Sequence, residues 1–341
     1  MGVKQMFDEK IVLKYASMPF APPAEILKEL CAEITKSNRY PDETYAELKE
    51  TIAVANGVEK QNVAVGDGSH ELIDMLTLAF GKTVLIPTPT FGRYAHSAKV
   101  YNSKIFLENC FDGRNYAFRL SADLMLKSTL IWICNPNNPT GNKIERNEIL
   151  RIANAAKQAL VVVDEAFYDF SKETVADEIK KRNNLAVLRT FSKAHCMAGL
   201  RLGYLMAPAH VIEKIEKIRQ PFNVSNIAAR AGVLALKKDS LFHDVRREIE
   251  ETRDYFSKKM EEAGYSVLPS ATTFVLVSFK DAEEAKNAYN ELEKRSIYVL
   301  PPWDTEFTGM PKNCFRITIG TRQEMDIVIE ALKEIKQQVL A

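Results

Sequence analysis

The chain lacks most of the features that would set it apart from an ordinary globular protein. No uninterrupted apolar run approaches the roughly 20 residues that a membrane-spanning helix needs. The opening MGVKQMFDEK has no apolar signal core, and methionine at position 6 fails the myristoylation pattern. The five cysteines (Cys31, Cys110, Cys134, Cys196 and Cys314) are scattered, odd in number and without a CxxC pair. Neither a disulfide framework nor a zinc site is indicated, which suits a reducing compartment. An excess of either charge is missing too: 46 Lys and Arg face 45 Asp and Glu, a net +1 that gives no electrostatic reason to expect nucleic acid or an anionic membrane as partner. Internal repeats and low-complexity tracts are absent as well. The expectation is a soluble, cytoplasmic protein with no membrane and no nucleic-acid partner.

What is present is the raw material of a two-domain α/β protein. At 341 residues, with 46% hydrophobic and 27% charged residues, the chain is too long for one small core. NVAV (62–65), TVLIP (83–87), TLIWIC (129–134), ALVVVD (159–164) and LAVLRT (185–190) read as strands. Their near-continuous hydrophobicity predicts burial on both faces of a mostly parallel sheet. Helical patterns at 70–80 and 145–158 alternate with them, implying right-handed crossovers. After about Pro221 the texture changes to long charged helices (241–264), spaced strands (272–279 and 314–320) and a terminal helix (321–339). The predicted division is an N-terminal arm over 1–24, a large domain over 25–221 and a smaller α+β domain over 222–341.

The polar clusters follow the strands: GDGSHE (66–71), PTPTF (87–91), NPNNPTG (135–141), Asp164 and TFSK (190–193). Ligands of open α/β sheets bind at the carboxyl ends of the strands, so these clusters predict one site. VGDGSHELI begins like a dinucleotide fingerprint, but Glu71 stands where the third glycine belongs, and Pro87 and Thr88 stand where a ribose-binding acid is wanted. The sounder reading is generic: small residues opening a helix present free N–H groups to an anion such as phosphate.

Asp164 ends a buried strand, where it is either a cap or buried ion-pair partner, or the counter-charge of a ligand cation. Lys193 is either a solvated surface group or, given Phe191 and the apolar AHCMAGL that flank it, a buried lysine with a lowered pKa and a nucleophilic amine. With Ser69, Thr190, Ser192 and Arg201 as a phosphate cradle, the set matches what pyridoxal phosphate requires: an amine for its aldehyde, an acid for its ring nitrogen and a phosphate site.

CNPNNPTG, VVVDEAFYDF, RTFSKAHCMAGLRLGY and CFRITIGTR together resemble the fold-type-I pyridoxal-phosphate aminotransferases, and most of all the histidinol-phosphate aminotransferases, which share a stretch like Arg39-Tyr40-Pro41. The resemblance covers residues from about 13 to 335. It implies a large domain with a mostly parallel sheet and a smaller α+β domain. Carried over by position, Lys193 would be the Schiff-base lysine and proton shuttle, and Asp164 would hold the pyridinium nitrogen. Asn138 would bond the cofactor O3′ and Phe91 would stack on its ring. Ser69 and His70, with Thr190, Ser192 and Arg201, would contact the phosphate. Tyr40 would reach the cofactor of a neighbouring subunit, implying a homodimer with shared sites, and Arg316 would grip the substrate carboxylate.

The implied activity is transamination of an amino acid or amino-alcohol phosphate, histidinol phosphate above all, with glutamate and 2-oxoglutarate as the second pair. The chain departs from that pattern in two places. Phe167 stands where the family has a tyrosine that donates to O3′, as it does in the related threonine-phosphate decarboxylases. Tyr168 is a poor substitute, since it would face the other side if the strand continued. In the arm, Ala16, Ser17, Met18 and Ala21 replace the family's polar triplet and glycine, implying a different side-chain preference. The rival readings are a decarboxylase of the threonine-phosphate kind, an aminotransferase for aromatic or other amino acids, a cofactor-binding regulator and a dinucleotide oxidoreductase. A regulator would need a DNA-binding domain for which the chain has no room.

Overall fold

The computed structural model describes residues 10–112 and 116–340; the first nine residues of the expected arm lie outside them. Seven strands form the main sheet: β1 (Val63–Asp67), β2 (Thr83–Thr88), β3 (Lys104–Asn109), β4 (Leu130–Cys134), β5 (Leu160–Asp164), β6 (Leu185–Thr190) and β7 (Leu202–Met206). Their order is β1-β7-β6-β5-β4-β2-β3. Only β7 runs against its neighbours, pairing antiparallel with β1 and β6, so the sheet is mostly parallel as expected.

The apolar strands LIWIC and LVVVD are buried along their whole length because helices cover both faces. Successive residues alternate between two cores: Ile131, Ile133, Val161 and Val163 on one face, Leu130, Trp132, Leu160 and Val162 on the other. Two strands go beyond the sequence reading. β3 is one edge of the sheet, and half of its mixed sequence KIFLEN is exposed and none of it buried, so it lacks the buried apolar signature. β7 is only five residues long and follows directly on the loop from Lys193, so its LGYLM is too short an apolar run to separate from that loop.

A smaller antiparallel sheet, β8 (Ser266–Val267), β9 (Phe274–Ser278) and β10 (Cys314–Thr318), carries the helices His243–Glu262, Ala282–Lys294 and Arg322–Leu340. Phe256, Phe274, Phe315, Val328 and Leu332 fill the core between them. The arm is part of this unit: Ile11–Val12 pairs in parallel with Ile297–Tyr298, and Ile11, Leu13 and Ala16 enter its core.

The cores divide later than the change of texture at Pro221. The helix Asn226–Lys237 and Phe242 pack with the main sheet, through Ala228, Ala231, Val233 and Leu234. That close approach needs Gly232, where a Cβ would meet Leu202 at 2.6 Å and Leu48 at 2.8 Å. Among the described residues no helix is long and apolar enough to cross a membrane.

Candidate active site

A cavity of about 460 Å³ opens where β4, β5 and β6 end. The parallel strands deliver their carboxyl ends to one edge of the sheet, and the loops that follow supply the lining.

One wall is the start of the helix Gly68–Phe80, which follows β1 directly. Gly68 has φ +68°, and a Cβ there would collide with the Arg201 guanidinium. Its N–H donates to the Arg201 carbonyl at 2.9 Å. On β7, Gly203 lets the helix start approach: a Cβ would lie 2.7 Å from the backbone of both Gly68 and Ser69. No side chain caps this helix; Glu71 instead accepts from the Asp67 N–H and from Asn223, each at 2.6 Å. The first-turn N–H groups therefore remain for an anion. Ser69 and His70 line the cavity here with Arg201, Thr190 and Ser192. The Thr190 and Ser192 hydroxyls lie 2.9 Å apart. His70 stays open to solvent at the rim; burial of part of its ring, then the Arg201 charge, lowers its pKa and favours neutral imidazole.

Asp164 is buried at the end of β5 and pairs with Cys134 across the sheet. The Tyr94 hydroxyl donates to its Oδ2 at 2.7 Å and the Ala166 N–H to its Oδ1 at 3.1 Å. Burial nevertheless raises its pKa to about 6. It makes no ion pair among the described residues, so an anion sits at the cavity floor without its cation. The neighbouring Glu165 points the other way and is neutralised by Arg189 at 2.7 Å.

Lys193 follows β6, and its Nζ donates to the Ala16 carbonyl of the arm at 2.7 Å. Burial first, then the Arg316 charge, lowers its pKa to about 8. Phe167 borders the same space, its ring centroid 5.7 Å from Nζ. β5 ends at Asp164, so Tyr168 opens a short helix instead of continuing a strand, and its ring lies 3.5 Å beneath the Arg189 guanidinium, outside the cavity.

The opposite wall is Phe91, half-buried and edge-on to Tyr94 at 5.6 Å, and Asn138. The Asn138 carboxamide oxygen accepts from Arg316 Nη1 at 2.7 Å, which leaves its NH2 as the donor for a ligand. Arg316, on β10, is fully buried and stands behind this wall. It is neutralised by Glu306, Nη1 to Oε1 at 2.8 Å, and Nη2 donates to the Lys14 carbonyl at 2.8 Å.

Nine of the eleven residues singled out in the sequence thus line one cavity: Ser69, His70, Phe91, Asn138, Asp164, Thr190, Ser192, Lys193 and Arg201. The other two do not. Arg316 reaches the site only through Asn138 and Glu306, while Tyr40 is 82% exposed, stacks on Phe222 at 4.8 Å and is not part of this chain's cavity lining. Sequence reasoning missed Tyr94, Cys134 and Glu306. Cys134 ends a strand beside Asp164 and was in principle visible by the same positional logic. Tyr94 and Glu306 gave no signal, because each owes its place to a tertiary contact.

The residues fit pyridoxal phosphate on the structure's own terms: an uncapped helix start beside an arginine, a buried carboxylate lacking a cation, and a lysine with a depressed pKa. The family profile described as aminotransferase class I and II matches residues 8–332. The histidinol-phosphate aminotransferase of Ruminiclostridium cellulolyticum is 35% identical over 341 aligned residues, covering 96% of this chain and 92% of its own. The crystal structure of histidinol-phosphate aminotransferase from Sinorhizobium meliloti in complex with pyridoxal-5'-phosphate matches with a TM-score of 0.88 at 24% identity, over 98% of this chain and 93% of that one. L-threonine-O-3-phosphate decarboxylase from Porphyromonas gingivalis matches with a TM-score of 0.82 at 25% identity, over 96% and 99%. The fold is that of the fold-type-I enzymes, and the chain belongs to the class I and II aminotransferases.

Proposed function

We propose that this aminotransferase works with pyridoxal phosphate and exchanges an amino group between L-histidinol phosphate and the glutamate/2-oxoglutarate pair, yielding imidazole acetol phosphate. The observation that carries the reading is the pairing of a lysine whose pKa is lowered to about 8 with a buried, cation-free aspartate in one cavity. Curated relatives of about a third identity, among them that of Ruminiclostridium cellulolyticum, bear the histidinol-phosphate name.

When bound, pyridoxal phosphate supplies an aldehyde that accepts the amino group and a ring that draws electrons from the substrate Cα. The residues of this chain would hold it at five points. Lys193 Nζ would carry it, and with a pKa of about 8 roughly a tenth of that amine is neutral and nucleophilic at pH 7. Asp164 would keep the ring nitrogen protonated, and its raised pKa falls when a cation is set beside it. Asn138 would donate to O3′, and Phe91 would press on the ring. Ser69, His70, Thr190, Ser192 and Arg201 would bind the phosphate, with Tyr40 arriving from a second subunit of a homodimer. Once released from the cofactor, Lys193 Nζ would take and return the proton at the substrate Cα. Arg316 would bind the substrate α-carboxylate, the acid group that the glutamate/2-oxoglutarate pair carries.

A panel of half-reactions tests this: amino donors are added singly to the yellow protein and the conversion of its absorbance is followed. Histidinol phosphate and glutamate should each convert it. Absence of conversion by histidinol phosphate refutes the substrate. Carbon dioxide released from phosphorylated amino acids would instead favour the decarboxylase reading, to which Phe167 and the Porphyromonas gingivalis likeness lend weight. Retained transamination by Lys193→Ala would refute the mechanism.

A further inference from the structure

The guanidinium of Arg316 has no exposed surface, and the side chain that faces the cavity in front of it is Glu306. A buried guanidinium needs an anion, since an unpaired charge in such a place is strongly disfavoured. Glu306 supplies it, Oε1 lying 2.8 Å from Nη1, while Phe274 and Phe307 flank the guanidinium at 4.9 and 5.2 Å. Nη1 and Nη2 are otherwise committed to Asn138 and to the Lys14 carbonyl, and Nε has no partner.

The two ends of Glu306 are held very differently. Its carbonyl accepts the Gly92 N–H at 2.6 Å, and the next two residues pair with the segment that carries the ring-stacking aromatic, Phe307 with Phe91 and Thr308 with Thr90. Its side chain, by contrast, keeps about a quarter of its surface exposed and can turn outward without moving that backbone. The other carboxylate of the loop, Asp304, is engaged with Lys14 at 2.8 Å and does not compete for Arg316.

We propose that Glu306 is a displaceable internal carboxylate: it occupies the anion seat on Arg316 until a ligand's own acid group takes its place. This rests on the function proposed above, in which Arg316 binds the substrate's acid group, and adds what must leave before it can. One carboxylate replaces another on the guanidinium, so Arg316 is never left unpaired. A ligand without an acid group meets the Glu306 carboxylate and finds the arginine closed. Glu306 thereby sets specificity: it discriminates against neutral amines and lowers the affinity for every acid by the strength of its own bond.

The test uses glutarate, a dicarboxylate with neither amino nor oxo group, titrated calorimetrically into the cofactor-loaded protein. Glu306→Gln keeps the shape and removes the charge. It should tighten glutarate about tenfold or more, the worth of a charge-assisted hydrogen bond that no longer competes. Unchanged or weakened binding, with unfolding temperature and cofactor absorbance as in the wild type, overturns the proposal. Should the variant not fold, a wild-type structure with glutarate decides: a ligand carboxylate on Arg316 with Glu306 turned away supports the exchange, and Glu306 still on Arg316 refutes it. Wild-type protein that never shows the lysine-bound cofactor absorbance would defeat the functional reading, whereas normal absorbance with unaltered glutarate affinity defeats this inference alone.

Discussion

Replacing Tyr94 by Phe removes a single oxygen from the floor of the cavity. That oxygen donates to Asp164 Oδ2 at 2.7 Å, and the ring that carries it is fully buried and stacked on Trp132 at 4.7 Å. The remaining ring fills the same space, so the packing cost is small and the effect is electrostatic. A hydrogen bond to a charged acceptor contributes about 1.5–3 kcal/mol and one to the protonated carboxyl about 0.5–1.5 kcal/mol, a difference of about 1–1.5 kcal/mol or about one pKa unit. Asp164 already titrates at about 6 because of burial, so in the variant it should titrate at about 7.

The sign is unusual for a carboxyl. Because the folded pKa lies above the unfolded value of 3.8, Asp164 destabilises the cofactor-free protein as pH rises from about 4 to about 6, by about 3 kcal/mol in all. In Tyr94→Phe that decline should continue to about pH 7. Urea unfolding of the cofactor-free protein at pH 5 and pH 8 measures the difference, and all other titrations cancel between variant and wild type. At pH 5, with the carboxyl protonated in both proteins, the variant should lose about 0.5–1.5 kcal/mol; at pH 8 it should lose about 1.5–3 kcal/mol. Equal losses at the two pH values would show that Tyr94 does not support the charge of Asp164.

Three other perturbations read different parts of the site. The rate at which cofactor-free protein takes up pyridoxal phosphate should rise with pH and level off above about 8, where the Lys193 amine is neutral; a midpoint near the ordinary lysine value of 10.5 would refute its burial. Phe167→Tyr places a hydroxyl beside the lysine and should lower the pH at which the lysine-bound cofactor absorbance titrates; a spectrophotometric titration without change rejects that reading. Gly203→Ala drives a methyl into the backbone of Gly68 and Ser69, 2.7 Å away, so it should cost about 1–3 kcal/mol of stability and weaken inorganic phosphate binding to the cofactor-free protein. Unaltered phosphate affinity would separate the helix start from the anion site.

The sequence was most legible where one physical rule governed several residues at once. Burial on both faces made LVVVD and LIWIC unmistakable, and their positions alone put Asp164 and the 135–141 loop at the carboxyl edge of the sheet. The edge strand Lys104–Asn109 obeys no such rule, since half its side chains face solvent. Asn226–Lys237 lies beyond the change of texture at Pro221, yet its alanine-rich face allows it to pack on Leu48 and Leu202 of the larger core, a choice that only the partner surface determines. Tyr94 and Glu306 were illegible for the same reason. A tyrosine near a helix start and a glutamate in a proline-bounded loop acquire meaning only from Asp164 and Arg316, 70 and 10 residues away.

The arm presents a further case, in which side-chain identity misleads because backbone atoms make the contact. Ala16 and its neighbours replace polar residues of the related enzymes, which by itself suggests a site stripped of hydrogen-bonding capacity. In the structure the Ala16 carbonyl accepts from Lys193 at 2.7 Å and the Lys14 carbonyl accepts from Arg316 at 2.8 Å. Any residue at either position supplies the same carbonyl. What the sequence must supply is the placement, and it does so through apolar residues: Ile11, Leu13 and Ala16 are buried in the smaller core, and the Leu13 N–H donates to Tyr298 at 2.8 Å. The arm thus joins Lys193 and Arg316 through main-chain oxygens held by hydrophobic anchoring. Lys193 has to leave the Ala16 carbonyl before its amine can act on anything else, so the position of the arm and the availability of the lysine are physically linked.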